Sequence, residues 1–94
     1  MTLEETAARI TRGLGGRAFS GSMKFDCGAD GVIVLADGAA TTTDRDADCT
    51  IALSRENLGK LLSGKLNPMT GVVTGKMKVS GDLAVAMRLS KLLA

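Results

Sequence analysis

Histidine, tryptophan and tyrosine are absent from this 94-residue chain, and only two phenylalanines are present. Without His, a zinc site lacks its commonest nitrogen ligand and a nucleophilic enzyme lacks its commonest base. The near-absence of aromatics removes the stacking platforms of single-strand nucleic-acid binders. Net charge is only +2 and no run of Lys or Arg occurs, so nucleic acid is not an expected partner. No segment reaches the ~20 apolar residues of a membrane span. The N-terminal Met1-Thr-Leu-Glu-Glu-Thr6 has acids where a secretory signal has cations and an apolar run, so the expected location is cytoplasmic. Two cysteines, Cys27 and Cys49, stand far apart in apolar alternations with no CxxC. They read as buried free thiols rather than as a disulfide.

What is present is an ordinary globular balance, 45% hydrophobic and 23% charged, in a length that suits one domain over residues 1–94. Thr2 and Glu5 form a capping-box pattern, after which Leu3, Ala7, Ile10 and Leu14 recur at helical spacing up to Gly13-Leu-Gly-Gly16. From Arg17 to Cys27, Phe19, Met23, Phe25 and Cys27 alternate with polar residues, as in a half-buried strand. Gly31 to Gly38 is a β-branched run that reads as a central strand buried on both faces. Ala39 to Asp44 is a weak strand nearer an edge. Cys49, Ile51 and Leu53 mark a fourth strand, and Ser54 caps a helix carrying Leu58, Leu61 and Leu62. Asn67-Pro68 opens a short helical segment with Met69, Val72 and Val73 on one face. Met77 and Val79 oppose Lys76 and Lys78 in a fifth strand bracketed by Gly75 and Gly81. The last helix, Leu83 to Leu93, is apolar almost all round, with Leu83, Ala86 and Met87 on one face. So apolar a helix must be covered by protein, ligand or partner. Hairpin-linked strands followed by helices predict an α+β fold: a five-stranded, mainly antiparallel sheet covered on one face by helices.

The carboxylates at Glu4, Glu5, Asp26 to Asp48, Glu56 and Asp82 read as caps and turns. Asp44, Asp46 and Asp48 start like a calcium loop, but Cys49 and Arg55 stand where Gly and Glu are required. Gly13-Leu-Gly-Gly16 follows a helix rather than a strand and lacks the Gly-Lys-Ser/Thr of a phosphate loop. No catalytic constellation, metal site or cofactor motif remains. The surplus is apolar, and five methionines suit a surface that re-packs around ligands of variable shape.

Ala47-Asp-Cys-Thr-Ile-Ala-Leu53, Leu62-Ser-Gly-Lys-Leu-Asn-Pro68 and Gly75-Lys-Met-Lys-Val-Ser-Gly81-Asp-Leu-Ala-Val-Ala-Met-Arg-Leu89 together resemble the sterol carrier protein type-2 family. The resemblance implies a hydrophobic tunnel between sheet and helices that holds fatty acid, fatty acyl-CoA, sterol or phospholipid. It implies non-enzymatic lipid binding or transfer, with no cofactor. By matching, the lipid-binding positions are Phe19, Phe25, Ile51, Leu53, Leu61, Leu62, Val72, Val73, Met77, Val79, Leu83 and Met87. Lys76, Lys78 and Arg88 are candidates for a lipid head group. The partner is then a small hydrophobic ligand, with transient membrane contact and either a monomer or a homodimer left open. A lipid-free interaction module, its cavity filled by its own side chains and its last helix docking a partner, is the alternative. The chain departs from the family in its short first helix and in Val72, Val73 and Thr74, where members often carry an aromatic pair and a Gln. Ser90-Lys-Leu92 looks like a peroxisomal tripeptide but is followed by Leu93-Ala94. In these respects it is similar to compact prokaryotic stand-alone members.

Overall fold

The computed structural model describes residues 2–15 and 19–93. Helix α1 (Leu3–Leu14) starts at Thr2, whose Oγ1 accepts from the Glu5 N–H at 3.1 Å while the Thr2 N–H donates to Glu5 Oε1 at 3.3 Å. Those bonds satisfy backbone donors that a helix start leaves unpaired, and they hold the Glu5 carboxyl below its usual range. After α1 come strands β1 (Met23–Asp26), β2 (Val32–Ala36), β3 (Ala39–Thr41) and β4 (Cys49–Leu53). Helices α2 (Arg55–Leu62) and α3 (Pro68–Val73), strand β5 (Met77–Gly81) and helix α4 (Leu83–Leu93) complete the chain. Element order and class follow the sequence expectation.

The sheet runs β3-β2-β1-β4-β5, with β1 and β4 parallel and the other three pairs antiparallel. The parallel pair exists because the chain leaves edge strand β3 and returns beyond β1, so residues 42–48 must cross two strands. They cross on the face away from the helices, where Asp44 meets Lys24 of β1 at 2.7 Å. This ion pair raises the Lys24 pKa. On the same face Val34 is only 1% exposed, which explains why β2 reads as buried on both sides. The centre of the sheet, however, is β1.

Two strand boundaries differ from the sequence expectation: β3 ends at Thr41 rather than at Asp44, where the chain already crosses the sheet to meet Lys24, and β1 starts only at Met23. The alternation from Phe19 does not continue as a strand into β1, because Ser20-Gly21-Ser22 bends the chain there. Gly21 takes φ +88, and a Cβ on it would lie 3.1 Å from Val85 Cγ1 and 3.3 Å from Asp48 Oδ2. The bend is pinned to β4 by a reciprocal pair: the Ser22 N–H donates to Asp48 Oδ2 and the Asp48 N–H to Ser22 Oγ, both at 2.9 Å. The expected start of that strand at Arg17 lies outside the described residues.

Cross-strand register sets the core. Met23, Phe25, Ile33, Leu35, Cys49, Ile51, Leu53 and Met77 face inward and are buried. They meet Leu3, Ala7, Ile10 and Leu14 of α1, Leu58 and Leu61 of α2, and Val85, Ala86 and Leu89 of α4 in one continuous cluster. Burying each large side chain of this kind contributes about 1.5–3 kcal/mol. At the β3 edge, the Ala40 N–H donates to Thr11 Oγ1 at 3.0 Å, so α1 covers backbone that an edge strand would otherwise expose.

Both thiols are free and buried, as their alternation predicts. Burial, reinforced by the charges of Asp48 and Asp82, pushes Cys49 from its ordinary 9.0 up to about 11. Burial, with Asp30 and Asp26, also raises Cys27. A thiol whose folded pKa is raised favours folding below its ordinary value and loses that contribution as pH climbs through the folded value. Stability is therefore expected to fall between pH 9 and 11. At pH 8 a thiol reagent should label native protein far more slowly than urea-unfolded protein. Equal rates would contradict the burial.

Candidate functional site

Where the sheet ends at β5, the helical layer does not close. Asn67 caps α3 by accepting the Met69 N–H at 2.8 Å, and Pro68 occupies the first turn, where its missing N–H costs nothing. Gly71 brings α3 close to the sheet: a Cβ there would sit 2.7 Å from Met77 Sδ. Gly75 (φ +77) turns the chain, and the Lys76 N–H donates back to the Gly71 carbonyl at 2.8 Å before β5 begins. At the far end of β5, Gly81 takes φ +86 and Asp82 opens α4. Its Oδ1 accepts the N–H groups of Ala84 at 2.9 Å and Val85 at 3.2 Å. Helices α3 and α4 are thus held at the two ends of one edge strand.

Between them is a cavity of about 200 Å³ lined by Ile51, Met69, Val72, Val73, Met77, Val79, Leu83, Ala86 and Met87. Every lining residue is apolar. Ile51 and Met77 form its buried floor, whereas Met69, Val72, Val73, Leu83 and Met87 are exposed, Val73 to 83%. These five are the large exposed hydrophobics among the described residues. An apolar hollow whose rim is also apolar is a site for something that leaves water.

Seven of the positions expected from sequence meet at this cavity: Ile51, Val72, Val73, Met77, Val79, Leu83 and Met87. The structure places the other five elsewhere. Phe25, Leu53 and Leu61 are buried in the core, and Phe19 and Leu62 pack partly buried against it. Met69 and Ala86 also line the cavity, although matching to the family does not single them out. Helical spacing carries a signal for both, since each completes a triplet, 69/72/73 and 83/86/87. The three head-group candidates do not line the cavity. Lys78 lies on the opposite face of β5 from Met77 and Val79, Lys76 is exposed at the turn before the strand, and Arg88 Nη2 donates to the Ser20 carbonyl at 3.2 Å. The side chains of Leu92 and Leu93, on which the alternative of a docking last helix leans, lie outside the described residues. The lining holds no titratable group, so it can shelter and orient a ligand but cannot move a proton.

Comparison with known proteins places this geometry. Residues 13–94 match the model of the SCP-2 sterol transfer family. Sterol carrier protein 2 of Oryctolagus cuniculus is 32% identical over 96% of this chain, and that of Gallus gallus 43% identical over 56% of it. The chain spans only 17% and 10% of those proteins. The solution structure of sterol carrier protein 2 from Aedes aegypti in complex with a C16 fatty acid, palmitate, superposes with a TM-score of 0.76 at 20% identity, covering 96% of this chain and 92% of that one. At that identity the likeness speaks for the fold. The family match over residues 13–94, on a sheet and helical layer of the same architecture, makes this chain a member of the SCP-2 sterol transfer family.

Proposed function

We propose that the chain is a non-enzymatic lipid-binding protein whose cavity takes a single acyl chain. The observation that carries the reading is the lining: nine apolar side chains around about 200 Å³, opening to solvent through an apolar rim. Withdrawing a chain from water is worth ~0.8 kcal/mol per buried methylene, or about fourfold in affinity each. The volume lies below the ~300–1,000 Å³ of pockets that bury most of a drug-sized ligand. That favours one flexible chain over a rigid polycycle such as a sterol. The palmitate held by the Aedes aegypti protein of the same fold supports a ligand of this class. No polar group in the lining is available to choose a head group, so affinity follows chain length, and the head group stays in water at the rim.

Displacement of a fluorescent fatty acid tests this. Saturated fatty acids should compete better with each added methylene until the cavity is filled, and a fatty alcohol should compete about as well as the acid of equal length. A cholesterol analogue that outcompetes every fatty acid would refute the single-chain reading.

A further inference from the structure

Helix α3 rests on the sheet at Gly71. Among the described residues of that helix, Met69, Thr70, Val72 and Val73 are exposed and Gly71 is buried. Glycine inside a helix is less favourable than alanine, and the Gly71 backbone does not take the positive φ that would call for it. The reason for this glycine is steric. A Cβ on it would lie 2.7 Å from Met77 Sδ and 3.2 Å from Met77 Cγ, so the Met77 thioether runs directly beneath the bare Cα. Gly59, also in a helix interior, would have nothing within 4 Å of such a Cβ. Helix α3 is not free to lift, because the Gly71 carbonyl accepts the Lys76 N–H at 2.8 Å and so ties the helix to the start of β5. Nor is there room for the thioether to move aside within the core. Leu66 Cδ1 stands 3.7 Å from the same point, and Leu53, the partner of Met77 on β4, is closed into the common core. The open direction is the cavity, whose floor Met77 helps to form.

We propose that Gly71 sets the depth of the cavity, and with it the preferred length of acyl chain, by leaving the Met77 side chain a slot in which to lie. Gly71 is not part of the lining; it is a positioning residue that acts through Met77. The proposal rests on the reading that the cavity takes an acyl chain. Methionine suits this place, since its unbranched, flexible side chain lets the sulfur and methyl group swing without moving β5. A side chain at position 71 would drive Sδ and Cε out of the slot and into the cavity, where they would take the room of the innermost carbons of a bound chain. A chain too short to reach the floor would not sense the change. The effect therefore falls on chain length rather than on binding in general, which sets it apart from a mere loosening of α3.

Displacement of a fluorescent fatty acid by saturated acids of increasing length tests it, on the parent, Gly71→Ala, Met77→Val and the double variant. In the parent, affinity should rise about fourfold per added methylene until the floor is reached. In Gly71→Ala the rise should stop about two carbons earlier, which weakens the longest chains about 15-fold and leaves the shortest as they are in the parent. Met77→Val, which takes the sulfur and methyl away, should let the rise continue to longer chains. The double variant should follow Met77→Val, because the group that alanine would displace is gone. Gly59→Ala is the control and should keep the parent profile. A Gly71→Ala protein with the parent's length profile, or with short and long chains weakened alike, would overturn the proposal. So would an equal drop from Gly71→Ala in the parent and in Met77→Val, since the effect would then not pass through Met77. If Gly71→Ala does not fold, Met77→Val decides alone, and an unchanged length limit overturns the proposal. A parent that binds no fatty acid of any length removes the acyl-chain reading and the proposal with it. Length-dependent binding that Gly71→Ala leaves untouched removes the role of Gly71 and leaves that reading standing.

Discussion

Gly81→Ala is expected to cost about 3–5 kcal/mol, enough to leave much of the protein unfolded at moderate temperature, since a chain of this length has on the order of 5–10 kcal/mol in total. Two effects add. The backbone at Gly81 has φ +86, a conformation L side chains rarely adopt. A Cβ there would also lie 2.5 Å from the Asp48 carbonyl oxygen and 2.9 Å from Cys49 Cα. Both obstacles are backbone, which cannot swing aside as a side-chain tip does. Relieving them means parting β4 from β5 at the Cys49–Gly81 pair and straining the bond from the Asp82 N–H to the Asp48 carbonyl. Gly75→Ala is the control. Gly75 has φ +77, but a Cβ there would meet nothing within 4 Å, so only the conformational cost of about 1 kcal/mol applies. Urea unfolding of the two variants should separate them by at least ~2 kcal/mol. Equal losses would mean that the β4–β5 junction tolerates a side chain after all.

Ala86→Phe is expected to abolish most acyl-chain binding while the protein stays folded. Ala86 lies on the α4 wall of the cavity and is only 4% exposed, so a larger side chain there projects into the space a ligand would fill. Excluding two or three methylenes at ~0.8 kcal/mol each weakens a fatty acid roughly 15- to 60-fold. The new ring gains apolar burial that offsets part of the ~1–3 kcal/mol typical of overpacking, so the unfolding midpoint should move little. Displacement assays and thermal unfolding on the same variant read the two effects independently. Unchanged affinity in a folded Ala86→Phe protein would put the ligand elsewhere.

The fold is legible in the sequence because its signals are local. The Thr2–Glu5 capping box, the alternation of Cys49, Ile51 and Leu53, and the Ser54 and Asn67 caps are each decided within a few residues, and each element forms where its pattern lies. The strand expected to begin upstream of Met23 fails for a reason alternation cannot carry. Gly21 bends where Asp48 and Val85, distant in sequence, require it.

The cavity is half legible for a related reason. Alternation says which residues face inward, and Ile51, Leu53, Met77 and Val79 all do. It does not say what stands in front of them. Ile51, Met77 and Val79 look into unfilled space beneath α3 and α4, whereas Leu53 and Phe25, on equally inward faces, are closed into the common core. That difference depends on how far α3 and α4 stand apart at β5, which no single segment encodes. Met69 and Ala86 are visible in the sequence as members of helical triplets. Their role emerges only when the two triplets are seen to face each other across the strand. Lys78, next to Met77 in sequence, does not reach the cavity, because a strand sends neighbours to opposite faces.

Methionine methyl groups report directly on where an acyl chain sits, because three of them line the cavity and Met23 does not. In a methyl-labelled protein titrated with a C16 fatty acid, the signals of Met69, Met77 and Met87 should move together and saturate. Met23, buried in the core away from the cavity lining, should hold its position. A titration in which Met69, Met77 and Met87 stay fixed, or in which Met23 moves while they do not, would contradict it.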